Sequence, residues 1–260
     1  MPLRFEDRVA IVTGAAGAFG KATARQLLDG GAKVVAVDWD GVALDKAISE
    51  LRSGADPTSV TPVIADVSSE ADVDGYVRKA LDTYGEINLF FNNAGIEGKM
   101  LPIVELEVVD FDRVMAVNAR GVFMGLRAVL KVMKEQGKGG AIVNTSSQAG
   151  IKGGRNFSPY IASKHAVVGL SRTAALEGAA YGVRVNAIAP GFIDTRMLHD
   201  LAGQINAEDV EKVYAGMGNQ VPVGRLGTAD EVATLATFLL SDDAAYVSGN
   251  TVLIDGALNA

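Results

Sequence analysis

The chain has 260 residues, no cysteine, two histidines, a net charge of −7 at pH 7 and a pI near 4.9. These values exclude disulfides, thiol nucleophiles and cysteine-ligated metals, and they give no electrostatic support for a nucleic-acid or anionic-membrane partner. With no secretory pattern and no run of 18 apolar residues, the sequence predicts a cytoplasmic protein without a metal site or membrane span.

Short apolar runs alternate with amphipathic helical patterns along the whole chain. The runs are rich in β-branched residues and bounded by Gly, Asp or Asn, which is typical of strands buried on both faces of a parallel sheet. They occupy residues 8–14, 32–38, 60–67, 87–95, 140–147, 183–191 and 250–256. Helical patterns occupy residues 21–31, 42–54, 70–85, 111–137, 160–182 and 229–244.

This alternation predicts right-handed βαβ units in one α/β domain over residues 1–260. The expected fold is a doubly wound parallel sheet of about seven strands, with helices on both faces. The alternation of strands and helices is interrupted at residues 194–222, where two short helical patterns form an insertion.

Glycines follow the first predicted strand at Gly14, Gly17 and Gly20, where the first helix begins. Such a turn lets a pyrophosphate approach the free N–H groups and positive dipole end of a helix. The alternative is an ordinary glycine-rich turn between a strand and a helix.

An acidic residue, Asp38, ends the second predicted strand 18 residues after Gly20. A carboxylate there would accept hydrogen bonds from the hydroxyls of an adenosine ribose, whereas the 2′-phosphate of NADP would meet like charge without a cation. The position therefore predicts NAD as the cofactor, and Trp39 is expected to border the adenine pocket.

Tyr160 and Lys164 lie four residues apart at the start of a predicted helix, so their side chains share one face. Ser158 is expected to be the N-cap and Pro159 the first helical residue. Taken alone, the short pattern favours a surface tyrosine beside a surface lysine.

Together these motifs resemble the short-chain dehydrogenase/reductase family, in order from Thr13 to Thr195. The family turn T-G-x-x-x-G-x-G is present as TGAAGAFG, except that Ala18 replaces its middle glycine. The resemblance implies a Rossmann-type fold and an NAD-dependent enzyme that interconverts a secondary alcohol and a ketone.

The resemblance also assigns roles to particular residues. The catalytic set falls on Asn118, Ser147, Tyr160 and Lys164. The cofactor-binding set falls on Gly14, Gly17, Ala18, Phe19, Gly20, Asp38, Trp39, Asp66, Val67, Asn93, Ala94, Gly95, Tyr160, Lys164, Pro190, Gly191, Ile193 and Thr195.

The expected chemistry has Tyr160 as the acid/base, with Ser147 donating to the developing alkoxide. The Lys164 ammonium is expected to lower the pKa of Tyr160 towards neutrality and to hold the nicotinamide ribose. In the family, the residue at the position of Asn118 bends its helix and holds a water that links the lysine to solvent.

Substrate contacts are predicted at Gln148, Phe157 and Met197, each with packing as the alternative role. Met197 opens the insertion at 194–222, which is expected to fold over the nicotinamide as a substrate lid. The segments NNAGIEGK and VLKVMKEQG are similar to family members that act on cyclic ketones, the levodione-type reductases.

Two other functions are possible on this scaffold. A lyase or dehalogenase needs no nucleotide, and its relatives lose the glycine turn that is present here. A non-enzymatic NAD sensor predicts a broken Ser–Tyr–Lys set, which is complete here. Helices rich in small residues, at 113–136 and 159–181, allow the homotetramer common in the family.

Overall fold

The computed structural model describes residues 4–53 and 56–260, and a parallel seven-stranded sheet forms its centre. The strand order is β3-β2-β1-β4-β5-β6-β7, and every neighbouring pair is parallel. The strands are β1 (Val9–Thr13), β2 (Lys33–Asp38), β3 (Val60–Ile64), β4 (Leu89–Asn92), β5 (Gly140–Thr145), β6 (Val183–Pro190) and β7 (Thr251–Ile254). The predicted doubly wound α/β fold is confirmed.

Helices cover both faces of the sheet. They are α1 (Ala18–Asp29), α2 (Gly41–Arg52), α3 (Glu70–Tyr84), α4 (Val108–Met115), α5 (Val122–Gln136), α6 (Ser158–Gly178), α7 (Arg196–Ile205), α8 (Val210–Gln220) and α9 (Ala229–Leu240).

Successive residues of one strand supply the cores on opposite faces. In β1, Val12 packs in the core that contains Leu27 of α1, while Ile11 packs in the core that contains Val129 of α5. Both strand residues are fully buried, because side chains alternate across a strand and each face is covered. This double burial explains why the strands appear in the sequence as continuous apolar runs.

Several predicted boundaries differ from the structure. The helix predicted at 111–137 is α4 and α5 joined by a π-helical turn over Ala116–Gly121. The strand predicted at 60–67 ends at Ile64. The helix predicted at 42–54 ends at Arg52, and residue 54 lies outside the described residues.

The predicted cap of α6 is also wrong by one position. The helix begins at Ser158, its N-cap is Phe157, and the Ser158 hydroxyl has no partner among the described residues. Pro159 lies in the first turn, as its fixed φ favours.

The insertion consists of α7 and α8, which pack on each other through Leu198, Ala202 and Met217. The Tyr214 hydroxyl of α8 donates to Asp194 Oδ1 at 2.6 Å, which ties α8 to the chain entering α7. Within residues 4–53 and 56–260, no helix could cross a membrane and no cluster of three His, Asp or Glu could hold a metal ion.

Candidate active site

The candidate site lies at the carboxyl ends of β1, β4 and β5. Strand β1 pairs with β2 on one side and with β4 on the other, so the direction in which successive strands are added to the sheet reverses at this point. Ligands of open α/β sheets bind in the crevice that such a reversal leaves.

The glycine turn between β1 and α1 has no room for side chains at two positions. Gly14 has φ +66°, and a Cβ there would lie 2.9 Å from Asn93 Nδ2. A Cβ on Gly20 would lie 2.1 Å from Gly14 O, whereas one on Gly17 would meet only Gly14 O at 3.3 Å. Gly17 is the N-cap of α1, so the free N–H groups of the helix face the crevice.

Two predicted contacts follow this turn directly. Ala18 is the first residue of α1, where the family's middle glycine would lie. Phe19 is partly buried and packs its side chain against the core.

Asp38 ends β2 beside the glycine turn and is 9% exposed. Its Oδ2 accepts from Ala16 N at 3.0 Å, and its Oδ1 accepts from Asp40 N at 3.2 Å. The carboxylate is therefore held at the rim of the turn. Trp39, which follows it, is 74% exposed.

Asn93 and its neighbours after β4 connect the middle strands. The Thr13 hydroxyl accepts from Asn93 N at 2.9 Å and from Ala94 N at 3.1 Å. The Asn93 side chain donates to Thr13 O at 3.0 Å and accepts from the Thr145 hydroxyl at 3.1 Å. These bonds fix the floor of the crevice across β1, β4 and β5.

Lys164 lies under this floor and is 3% exposed. Its Nζ donates to Thr145 O at 2.9 Å, and a Cβ on Gly95 would lie 3.4 Å from it. Gly95 therefore leaves the space in which the ammonium lies. Burial lowers the pKa of Lys164 to about 8.

Asn118 lies in the π-helical turn and is fully buried. Its Oδ1 accepts from Ile96 N at 2.8 Å, and its Nδ2 donates to Ile96 O at 2.8 Å and to Ser163 Oγ at 3.1 Å. A π turn widens the helix locally and often occurs at functional sites. The amide thereby joins the loop after β4 to α6, beside Lys164.

Tyr160 lies in the first turn of α6 with its ring stacked on Phe157, at 4.5 Å between centroids and an interplanar angle of 14°. Burial raises the pKa of Tyr160 to about 12, although the Ser147 hydroxyl acts in the opposite direction. The nearby Glu97 carboxylate raises it further. At neutral pH the phenol is protonated.

The expectation that Lys164 brings the pKa of Tyr160 towards neutrality is wrong for this structure. The ammonium lies 5.4 Å from the Tyr160 ring centroid, and it donates to Thr145 O. Desolvation of both groups opposes their charged forms, and for the tyrosine it exceeds the opposing effects. The sequence argument included the charge pair but not the burial.

The buried Lys164 predicts a pH-dependent stability. Its pKa is 10.5 in the ordinary state and about 8 here, so between these values the unfolded chain binds a proton that the folded chain does not. The free energy of unfolding should therefore rise with pH above about 8, by up to about 3 kcal/mol for this group. Urea unfolding at several pH values measures this dependence, with Lys164→Met as the reference. If the free energy of unfolding changed equally with pH in both proteins, the prediction would be contradicted.

The segment after β6 lies beside the C-terminal strand. Gly191 N donates to Ile254 O at 3.0 Å, and a Cβ on Gly191 would lie 2.7 Å from Asp255 Cβ. Pro190 ends β6, and Ile193 is 4% exposed. The Thr195 hydroxyl donates to Ile193 O at 3.3 Å and caps α7 by accepting from Leu198 N.

Asp66 and Val67 lie in the loop after β3. The Asp66 carboxylate accepts from Ser68 N at 2.8 Å, which shapes the loop, and Val67 is buried. A Cβ on Gly121 would lie 3.0 Å from Val67 O, so the π-helical turn approaches this loop closely.

The predicted substrate contacts have different surroundings. Gln148 is 9% exposed and directly follows Ser147, whose Oγ accepts from Ala149 N at 3.1 Å. Phe157 stacks on Tyr160, so it touches the candidate acid. Met197 is partly buried on α7, whereas its neighbour Leu198 packs inside the insertion.

Two further residues at the site carried no signal in the sequence. Gln204 of α7 accepts from Met100 N at 2.9 Å and donates to Gly98 O at 3.1 Å, which joins the insertion to the loop after β4. Asn259 donates to Gln148 Oε1 at 3.1 Å. Both are polar residues without a motif, and only the fold brings them to the crevice.

These residues fit a dinucleotide. The turn at Gly14 and Gly20 lacks space for any side chain, free N–H groups of α1 lie beside it, and the Asp38 carboxylate stands at its rim. This is the arrangement that binds a pyrophosphate and an adenosine ribose. Fold and site together define an oxidoreductase of the nicotinamide-dependent class.

Comparisons with known proteins give the family. The model for enoyl-(acyl carrier protein) reductase, a short-chain dehydrogenase model, matches residues 14–259. Levodione reductase from Leifsonia aquatica is 45% identical over 99% of this chain and 96% of its own. Cyclohexanol dehydrogenase from Acinetobacter sp. (strain SE19) is 38% identical over 99% and 97%.

Solved structures agree with this result. A crystal structure of levodione reductase superposes with a TM-score of 0.94 at 45% identity, covering 98% of both chains. NAD⁺-bound xylitol dehydrogenase gives a TM-score of 0.89 at 36% identity, covering 97% of this chain and 99% of that one. The chain belongs to the short-chain dehydrogenase/reductase family, and it is an oxidoreductase that acts on alcohol and ketone groups.

Proposed function

We propose that the enzyme interconverts a secondary alcohol and a ketone with NAD(H), using Tyr160, Ser147, Lys164 and Asn118. The observation that carries this proposal is the position of Lys164, whose ammonium is buried between Thr145 O and the face of Tyr160. Burying a lysine without a carboxylate partner is costly, which favours a functional reason for keeping it there.

In ketone reduction, the protonated Tyr160 phenol donates its proton to the substrate oxygen as negative charge develops there. Ser147 donates a hydrogen bond to the same oxygen, which stabilises that charge. When bound, the nicotinamide supplies the hydride in reduction and accepts it in oxidation. Lys164 then counters the phenolate charge, and Asn118 holds the loop and helix between which Lys164 lies.

The proposed cofactor is NAD, held by the turn at Gly14–Gly20, by Asp38 and by the segments after β3, β4 and β6. Asp38 supports NAD because its carboxylate would face a 2′-phosphate. Trp39 and Asp40 follow it and provide no cation. The relative crystallised with NAD⁺ has the same fold.

Replacing Asp38 with asparagine should reduce the preference for NADH over NADPH. Asparagine can still accept from Ala16 N, so the turn should persist while the like charge is removed. We expect the NADH/NADPH ratio of kcat/KM to fall roughly 10- to 100-fold. Asp45→Asn, at an exposed position of α2, is the charge-matched control; a wild-type preference for NADPH would contradict the assignment.

Cyclic ketones are the proposed substrates. The names of the similar levodione reductase and cyclohexanol dehydrogenase support this choice. We place the substrate between Gln148, Phe157 and Met197, under a lid formed by residues 194–222. An apolar lid would exclude water from the reacting groups.

Initial rates of NADH oxidation with cyclohexanone, and of NAD⁺ reduction with cyclohexanol, test the proposed function. We expect turnover in both directions. Tight NADH binding without turnover of any ketone or alcohol in a broad panel would favour a regulatory NAD-binding protein instead.

The proposal includes a homotetramer and a cytoplasmic location. Large apolar side chains are exposed on α4, α5 and α6, with Val108 at 74%, Phe123 at 47% and Leu176 at 81%. Exposed large apolar side chains on these helices support association through them. Light scattering should give four times 27.0 kDa, and a monomer would overturn this part of the proposal.

A further inference from the structure

We propose that Gln204 is a positioning residue that holds α7 across the crevice, so that the insertion at 194–222 covers the reacting groups. Gln204 lies in the last turn of α7, and its partners lie within residues 96–100 (the β4 loop). This inference rests on the proposed function, because it names the contact that keeps the proposed lid closed.

The strand order determines where α7 runs. This helix begins after β6, whereas the β4 loop follows β4, and β5 lies between these two strands. The three strands are parallel, so their carboxyl ends lie at one edge of the sheet, where Ser147 follows β5. The ten residues of α7 span about 15 Å, and two strand spacings measure about 10 Å. Helix α7 is therefore long enough to pass over the carboxyl end of β5.

The Gln204 amide uses both of its ends in this contact. Its oxygen accepts from Met100 N at 2.9 Å, and its nitrogen donates to Gly98 O at 3.1 Å. Among residues 4–53 and 56–260, these are the only hydrogen bonds or ion pairs that join α7 or α8 to residues outside 194–222. Other polar contacts of the two helices stay within the insertion, as in the pair of His199 and Glu211. Gln204 is thus the polar link between the insertion and the opposite side of the crevice.

The β4 loop is fixed to the body of the protein without Gln204. The Asn118 amide bonds both Ile96 N and Ile96 O at 2.8 Å, which holds the start of the loop on the π-helical turn. Lys99 pairs with Asp110 of α4 at 2.8 Å, which holds the end of the loop. Loss of the Gln204 contact should therefore release α7 and leave the loop in place.

Apolar packing joins α7 to α8 and not to the sheet. In the described part of the chain, Leu198, Ala202 and Met217 form a buried cluster separate from the two cores on the faces of the sheet. The start of α7 is tied down by Asp194, which accepts from the Tyr214 hydroxyl and donates its N–H to Gly227 O. The position of the other end of α7 then depends on Gln204.

The β4 loop borders the reacting groups, so its contact with α7 encloses them. A Cβ on Gly95, which precedes the loop, would lie 3.4 Å from Lys164 Nζ. Burial and the Glu97 carboxylate both raise the pKa of Tyr160, so Glu97 of the loop lies near the phenol. Closure of α7 onto the loop would exclude water from the side of the crevice that holds Tyr160 and Lys164.

Replacing Gln204 with methionine tests the inference, because methionine keeps the length of the side chain but bonds neither Met100 N nor Gly98 O. The KM for cyclohexanone should rise roughly five- to fiftyfold, because the closed fraction of the enzyme binds the substrate. The kcat should change much less, because the catalytic groups lie on other elements. Without any ligand, hydrogen exchange of the α7 amides should become faster, while exchange in α4 should stay the same.

Replacing Gln204 with glutamate gives a readout that general loosening would not give. An ionised carboxylate can accept from Met100 N but cannot donate to Gly98 O, whereas a carboxylic acid can do both. Closure should therefore raise the pKa of this side chain above the ordinary glutamate value of about 4.3. The ratio of variant to wild-type KM should be roughly fivefold or more at pH 8 and should fall towards one at pH 5. The ratio for Gln204→Met should not change with pH.

The matched control is Gln220→Met, which makes the same substitution in the same insertion. Gln220 ends α8 and is exposed, and its side chain makes no hydrogen bond to residues 4–53 or 56–260. This variant should keep the wild-type KM and the wild-type exchange of α7. The NADH dissociation constant and the melting temperature report the integrity of every variant.

Failure of this inference and failure of the proposed function are distinguishable. If Gln204→Met matched Gln220→Met in KM and in the exchange of α7, or if the KM ratio of Gln204→Glu were independent of pH, the positioning role would be overturned and the function would stand. If the wild-type enzyme reduced no ketone, the proposed function would be overturned, and the exchange of α7 would still decide whether Gln204 holds the helix.

Discussion

Replacing Tyr160 with phenylalanine is expected to lower kcat by roughly a thousand-fold with any ketone that the enzyme reduces, which is the scale of a lost general acid. Phenylalanine keeps the ring that stacks on Phe157 at 4.5 Å, so the first turn of α6 should remain as it is. The affinity for NADH should change by much less than kcat, because the glycine turn and Asp38 lie on other elements.

The measurement compares kcat from initial rates with the NADH dissociation constant from fluorescence titration. Phe157→Leu is a useful companion, since it removes the stacked ring but leaves the phenol, and it should affect KM more than kcat. If Tyr160→Phe kept more than about a tenth of the wild-type kcat, another group would have to donate the proton, and the proposed role of Tyr160 would be wrong.

The fold could be predicted from the sequence because a parallel sheet imposes a simple pattern on it. Strands such as Val34–Val37 are fully buried from both sides, so every position is apolar and Asp38 marks the end of the run. The helix and strand boundaries that differ from the prediction depend on the local backbone conformation. The π turn around Asn118, for example, requires a bonding pattern that helix periodicity does not reveal.

The candidate site could be predicted only where its residues follow motifs along the chain. Thr13 ends β1, Asn93 follows β4 and Thr145 ends β5, so each lies at a strand end that the sequence indicates, and the structure joins them by hydrogen bonds. Gln204 and Asn259 bond to residues 104 and 111 positions away, and no local pattern indicates such pairs.

The ionisation of the site could not be predicted from the pair of Tyr160 and Lys164. An i,i+4 spacing fixes the distance between two groups, but a pKa also depends on how much solvent each has lost. The 3% exposure of Lys164 is produced by α6, β5 and the loop after β4 together. Because burial raises the pKa of Tyr160 to about 12, the phenol is protonated at neutral pH and can act as a proton donor.

The glycine turn differs from the catalytic residues because its residues act by having no side chain, which lets α1 approach β1 closely. Replacing Gly20 with alanine would place a Cβ 2.1 Å from Gly14 O and 2.8 Å from Ala15 Cα. These are backbone atoms of the same turn, so the new methyl can be accommodated only if α1 moves away from β1. Overpacking typically costs about 1–3 kcal/mol, and a clash with backbone atoms in a closely packed core lies at the upper end of this range.

We therefore expect Gly20→Ala to lower the free energy of unfolding by about 3 kcal/mol and to weaken NADH binding by more than tenfold, since the N–H groups of α1 would shift. Gly17→Ala is the matched control, because its Cβ would meet only Gly14 O at 3.3 Å and should leave the fold nearly unchanged. Urea unfolding compares the stability of the two variants, and NADH titration compares their dissociation constants. Equal stability of the two variants would show that the turn tolerates a side chain at Gly20, and the close approach of α1 to β1 would then not explain why this position is glycine.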